Sequence, residues 1–212
     1  MKKIMILFVV LMLLCFLTGC TESTCDLFYK SVSKRAICYS KVHSETAEQA
    51  NDITDCETIE GPAKNTCYVN FAEETKDITI CEEKVSSLSR NSCMYEVAIL
   101  TKSVEDCRIL QTNAGLTLDV RECFTIAAVA ANNLEICNEL LEESDQASCI
   151  QGFAEEFSDI SYCDKIKEEY GTEGQIKSTY ELCVLIVARQ TMNPELCNEL
   201  TTYKESCLEQ SS

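Results

Sequence analysis

The spacing of the cysteines constrains this chain more than any other feature. Fourteen of them follow Cys20, and every second gap is fixed: Cys67 to Cys81, Cys93 to Cys107, Cys123 to Cys137, Cys149 to Cys163 and Cys183 to Cys197 are each 14 residues apart, with Cys38 to Cys56 at 18. The complementary gaps, beginning with Cys25 to Cys38 and ending with Cys197 to Cys207, run 13, 11, 12, 16, 12, 20 and 10. A fixed gap alternating with an elastic one describes a rigid unit alternating with a loop. The chain is therefore an internal repeat, and self-similarity at this period is the signature of stacked supersecondary units.

The fixed unit has a readable interior. Five residues after its first cysteine stands Ala72, Ala98, Ala128, Ala154 or Ala188, and ten residues after it stands Asp77, Ser103, Asn133, Asp159 or Asn193. The second set has the chemistry of helix N-caps, whose side-chain oxygens accept from the orphan amides of a first turn. Asn193-Pro194-Glu195 is the fullest case, with proline at the first helical position and an acid near the positive helix end. Asp52 before Cys56 and Thr21 before Cys25 keep the same offset. Each repeat thus begins with a short capped helix A, crosses a variable loop and enters helix B. An apolar residue follows the helix B cysteine (Tyr68, Met94, Phe124, Ile150 or Val184), and the small alanine suits a close helix crossing. Loop signals fall where the hairpins need them, at Gly61-Pro62, Asn113-Ala114-Gly115, and Gly171 with Gly174. Period-2 alternation is absent, so the expected fold is all-α, an α-solenoid of six to seven αα-hairpins over residues 25–212.

Two cysteine pairings respect the repeat. In one, helix A bonds helix B of the same hairpin: Cys25 with Cys38, Cys56 with Cys67, Cys81 with Cys93, Cys107 with Cys123, Cys137 with Cys149, Cys163 with Cys183, and Cys197 with Cys207. In the other, helix B bonds the next helix A, which strands Cys25 and Cys207. The first is favoured because it uses every thiol, and because a staple across a hairpin tolerates insertions that extend beyond it. Metal binding is disfavoured: the closest two of the fourteen are ten residues apart, and His43 is the single imidazole. Redox catalysis would need two cysteines flanking two residues, a spacing that does not occur.

The N-terminus reads as an export signal. Met1-Lys2-Lys3 precedes an uncharged apolar run, Ile4 to Leu17, that would rise only ~21 Å as a helix, short of the ~30 Å hydrocarbon core. Leu17-Thr18-Gly19-Cys20 resembles the lipobox of prokaryotic lipoproteins, which implies a signal peptide over 1–19, a diacylated Cys20, and a short stretch, 20–24, leading into the first helix. Cys15 would leave with the signal. So would Lys2 and Lys3, taking the 18 basic residues to 16 against 35 acids, a net −19 for the anchored domain. Such a balance argues against nucleic acid, whose phosphates demand clustered Lys and Arg. An exported chain with an even cysteine complement fits an oxidising compartment on the outer face of a membrane.

Other chemistry-bearing patterns read plainly. Acid pairs recur at Glu73-Glu74, Glu82-Glu83, Glu142-Glu143, Glu155-Glu156 and Glu168-Glu169, the pattern of a solvated helix face; the alternating acids and glycine of a calcium loop are absent. No phosphate-cradling glycine loop occurs, and no motif sets a nucleophile or acid beside His43, so no catalytic residue, cofactor or metal is expected.

A capped helix, a cysteine, a loop, and a second cysteine followed by an apolar residue and then alanine, in tandem, resembles the cysteine-rich helical-repeat proteins of the tetratricopeptide-like class, carried here as a lipoprotein. That resemblance implies one disulfide per helix pair and a concave face that binds protein or peptide. The expected function is a lipid-anchored, extracytoplasmic, non-enzymatic module that binds another protein or a cell-envelope component. A purely structural envelope protein and an envelope hydrolase are the rival readings. Helix B reads Phe124 to Ala131 in the fourth repeat and Val184 to Ala188 in the sixth, each apolar nearly all round, and such helices must be covered on every side. These repeats own the longest gaps, 108–122 and 164–182. Either each loop folds over its own helix, or the loops, with Leu116, Leu118, Tyr170 and Tyr180, rim an open partner surface.

Overall fold

A computed structural model describes Val42, residues 52–114 and residues 117–211. Cys20, Cys25, Cys38, His43, Leu116 and the signal segment lie outside the described residues. The described chain is all helix and turn, without a strand, and it divides into two compact units at Arg90/Asn91.

In the first unit, α1 (Ile53–Thr58) and α2 (Pro62–Thr75) form a hairpin closed by the Cys56–Cys67 disulfide, and α3 (Ile78–Lys84) packs on α2. Gly61 turns the hairpin at φ 66°, where a side chain would be strained, and Pro62 opens α2 with its fixed φ. Asp52 and Asp77 cap α1 and α3 by accepting from the amides of Thr54 and Thr79 at 2.9 and 3.0 Å.

The second unit continues the pattern as a solenoid of successive hairpins. Its elements are α4 (Ser87–Thr101, from Asn91 onward), α5 (Val104–Ala114), α6 (Thr117–Ala131) and the 3-10 helix η1 (Leu134–Glu139). There follow α7 (Glu143–Phe157), α8 (Ile160–Tyr170), α9 (Gly174–Thr191), the 3-10 helix η2 (Pro194–Glu199) and α10 (Lys204–Gln210). Within-hairpin disulfides join Cys107 to Cys123, Cys137 to Cys149, Cys163 to Cys183 and Cys197 to Cys207, with Cα separations of 5.6–5.7 Å, as the favoured pairing requires. Cys81 and Cys93 are disulfide-bonded as well. All twelve of these cysteines are 0–2% exposed, so the staples run through the core.

The constancy of the 14-residue gap has a stereochemical cause. At the end of α2, α7 and α9, Lys76, Ser158 and Met192 adopt the left-handed conformation (φ 52–56°), and Lys102 and Asn132 do so after α4 and α6. The next residue is in each case the cap of the following helix. Amides of Asp77, Asn133, Asp159 and Asn193 donate back to the carbonyls of Ala72, Ala128, Ala154 and Ala188 at 3.0–3.3 Å, the six-to-one bond of a Schellman turn. Forward, Asn133, Asp159 and Asn193 accept from the amides two residues on at 2.9–3.1 Å. One residue thus ends helix B and the next begins helix A, leaving no slack to add or lose a residue. The five alanines are 0% exposed, as are Met94 and Phe124 beside their cysteines, so the stripe from sulfur to alanine is the inter-repeat core.

The two longest gaps are largely helix among the described residues. Residues 108–114 and 117–122 belong to α5 and α6, and residues 164–170 and 174–182 to α8 and α9. The extra residues lengthen both arms of the hairpin beyond its staple, because helix satisfies their backbone groups and buries Leu110, Ile166 and Tyr180. Gly171 and Gly174, at φ 81° and 54°, make the turn between α8 and α9. A second departure is that helix A of the fifth and seventh repeats is 3-10 rather than α, over six residues each in η1 and η2.

Candidate functional site

On the two sides of the second unit, charge is handled differently. On the helix A side, acids meet the chain's own cations: Arg108 donates to both carboxylate oxygens of Glu139 at 2.6 and 2.7 Å and to Glu105 at 2.8 Å, tying α5 to η1. Tyr180 of α9 donates to Glu199 of η2 at 2.8 Å, while Lys167 of α8 lies 3.5 Å from that carboxylate and over the Tyr180 ring. This hydroxyl, together with Lys167, holds the Glu199 carboxyl below its ordinary range against the opposing effect of burial. Next along α9, Glu181 is buried. Burial alone would push its carboxyl up, but the hydrogen bonds from the Thr201 hydroxyl and the Thr202 amide outweigh it and hold the carboxyl at about 2. Lys177 stands 3.8 Å away. These bonds fasten the last hairpin to the sixth.

The helix B side is open. A groove of about 1110 Å³ crosses it, walled by α4 (Ile99), α6 and α7, with Lys102 after α4, Ser158 after α7 and Gln190 of α9 at its edge. Along α6 its lining changes from Asp119, Arg121 and Glu122 to Thr125, Ile126, Val129 and Ala130, and the α7 wall carries Gly152, Glu155 and Glu156. Ile99, Ile126 and Val129 are only half-buried, although they belong to otherwise packed helices. Gly152 lies at a close approach of α6 and α7: a Cβ there would sit 2.5 Å from the Thr125 methyl. Ser158 donates to Gln190 across the rim at 3.0 Å. Arg121 faces Asp145 at 3.8 Å, and burial together with the Glu122 carboxylate pushes the Tyr95 hydroxyl up to about 12. A smaller depression of about 370 Å³ adjoins the groove, lined by Glu155 and Gln190 with Ile186, Arg189 and Gln210.

The residues expected to rim a partner surface fare unevenly. Tyr180 is 4% exposed and bonded to Glu199, so it rims nothing; as part of a lengthened helix it points into the core. Tyr170 is half-buried at the end of α8 and lines neither depression. Leu118 falls within α6, and Leu116 outside the described residues. Among the described residues no loop folds over α6 or α9, since those segments are mostly helix. The open apolar surface that helix α6 does leave is Ile126 and Val129, both within the run singled out for being apolar all round.

Among the described residues no group of three or more His, Cys, Asp or Glu side chains is disposed to hold a metal ion, and no helix is long and apolar enough to cross a membrane. Twelve disulfide-bonded cysteines fit an oxidising, extracytoplasmic compartment. No family model, no curated protein and no solved structure matches the chain.

Proposed function

We propose that this protein is a lipid-anchored, extracytoplasmic interaction module, not an enzyme, and that the groove over α4, α6 and α7 receives a segment of another envelope protein. The observation that carries this reading is the groove itself: successive repeats leave Ile99, Ile126 and Val129 incompletely buried along one depression. Exposed apolar side chains gathered in a polar-rimmed depression are the ordinary mark of a recognition surface, and a stapled solenoid presents such a surface without having to order it on binding. The short apolar run before Cys20 supports the anchor, because two acyl chains give stable attachment where one does not.

Photo-crosslinking in intact cells tests the groove. A photoreactive residue at Ile126 is expected to yield discrete adducts, and one at Glu168, exposed on α8 outside the groove, is not; equal labelling from both positions would reject the groove as the contact surface. The anchor is tested by Cys20→Ser. Membrane retention unchanged after that substitution, with the signal still cleaved, would reject lipidation.

A further inference from the structure

The groove gathers acidic side chains at a helix carboxyl terminus. The carboxyl end of a helix carries about half a negative charge and favours a nearby cation. The last turns of α4, α6 and α7 hold no basic residue, and that of α7 instead carries the adjacent acids Glu155 and Glu156, both exposed and both lining the groove. Neither has an ion-pair partner among the described residues, in contrast to Glu139 and Glu199 on the helix A side. Asp119 and Glu122 add two carboxylates at the other end of the groove, against Lys102 and an Arg121 already facing Asp145. Between the two acidic ends lie Ile126 and Val129. Placing acids at a helix carboxyl terminus costs stability, and a local cost without a local compensation is what a site completed by a partner looks like.

We propose that the groove is specific for a cationic amphipathic polypeptide segment, whose lysine or arginine side chains supply the positive charge missing at the α7 terminus and whose apolar residues cover Ile126 and Val129. This rests on the groove being the contact surface, and charge complementarity selects among its possible occupants. An anionic or phosphate-bearing ligand would add to the repulsion already present, and a purely apolar segment would leave Glu155 and Glu156 desolvated without a partner.

The test is selection from a random 12-residue peptide display library on the full mature protein with its disulfides intact. Enriched peptides are expected to combine Lys or Arg with Leu, Ile or Phe. Synthesised individually, they should bind about tenfold more weakly to Glu155→Gln/Glu156→Gln, two partly exposed charge contacts at roughly 0.7 kcal/mol each. The same peptides should bind Glu168→Gln/Glu205→Gln, which loses the same charge outside the groove, within twofold of the parent. Equal weakening by the two double variants would mean diffuse attraction to an acidic protein and would overturn the proposal. Enriched peptides that are neutral or acidic, yet lost on Ile126→Asp, would overturn the cationic specificity and leave the groove standing as the contact surface. Peptides indifferent to Ile126→Asp would overturn both, with native circular dichroism of that variant establishing that it folds.

Discussion

Replacing Gly152 by alanine inverts the usual effect of that substitution. In the middle of a helix, alanine is favoured over glycine by about 1 kcal/mol, so Gly152→Ala in α7 should stabilise if the helix were all that mattered. The new Cβ, however, would stand 2.5 Å from the Thr125 methyl carbon, about 1 Å inside the ~3.5 Å at which carbons pack. Thr125 is β-branched, so its one relevant torsion must jump a full well to clear the contact, and the hydroxyl would then leave the Arg121 carbonyl that it bonds at 2.9 Å. Otherwise α6 and α7 must part, loosening a core that includes Phe124, Ala128 and Phe153. Either route costs about 2–3 kcal/mol by the general expense of overpacking. After the helix gain, the net loss is roughly 1–2 kcal/mol, which for a chain of this size lowers Tm by about 2–8 °C. Thr125→Ser keeps the hydroxyl and removes the methyl, so in that background Gly152→Ala should become neutral or stabilising. Thermal unfolding by circular dichroism on the four proteins of this cycle, with disulfides intact, gives a coupling of about 2 kcal/mol. A stabilising Gly152→Ala in the parent, or a coupling below about 0.3 kcal/mol, would refute the close-approach argument.

Three further outcomes follow from the same geometry. Met192, 74% exposed and left-handed at φ 52°, should give way to glycine with a gain of about 1 kcal/mol, measured by denaturant titration; the same substitution at exposed, right-handed Gln190 should lose about that much instead. Converting Cys163 and Cys183 together to alanine should cost about 3 kcal/mol, and Cys197 with Cys207 about 0.5 kcal/mol less, because the staples span 20 and 10 residues; an unchanged denaturation midpoint for either pair would show that helix packing alone fixes that hairpin. The Glu181 carboxyl is held near 2 against an ordinary 4.5, so its contribution is fully present above about pH 5 and is lost as pH falls toward 2; protection of the Thr202 amide relative to its intrinsic exchange rate should fall over that window, and Glu181→Gln should leave that amide poorly protected at both ends of it.

The sequence by itself determined the repeat and the places where helices begin, and it narrowed the sulfur pairing to two schemes, of which the favoured one holds for the five disulfides Cys56–Cys67, Cys107–Cys123, Cys137–Cys149, Cys163–Cys183 and Cys197–Cys207. These properties are local: a cap needs one side chain and the next two amides, and a staple needs two cysteines brought together by a hairpin. Asp52, Asp77, Asn133, Asp159 and Asn193 could therefore be read without knowing what packs where. The left-handed residues before four of them escaped notice because Lys76, Asn132, Ser158 and Met192 are not glycine; their conformation is imposed by the joint and not announced by the residue. Tertiary structure decided the rest. Whether residues 108–122 and 164–182 would wander as loops or extend their helices depended on burial of Leu110, Ile166 and Tyr180 against neighbouring repeats, and composition alone left both open. The groove was invisible for the same reason: Ile99, Ile126, Gly152 and Glu155 lie far apart along the chain, and only the stacking of successive hairpins places their side chains around one depression. Glu155-Glu156 reads in the sequence as one more solvated acid pair among five, and Glu73-Glu74 ends α2 in the same way; what distinguishes Glu155-Glu156 is the groove that it lines.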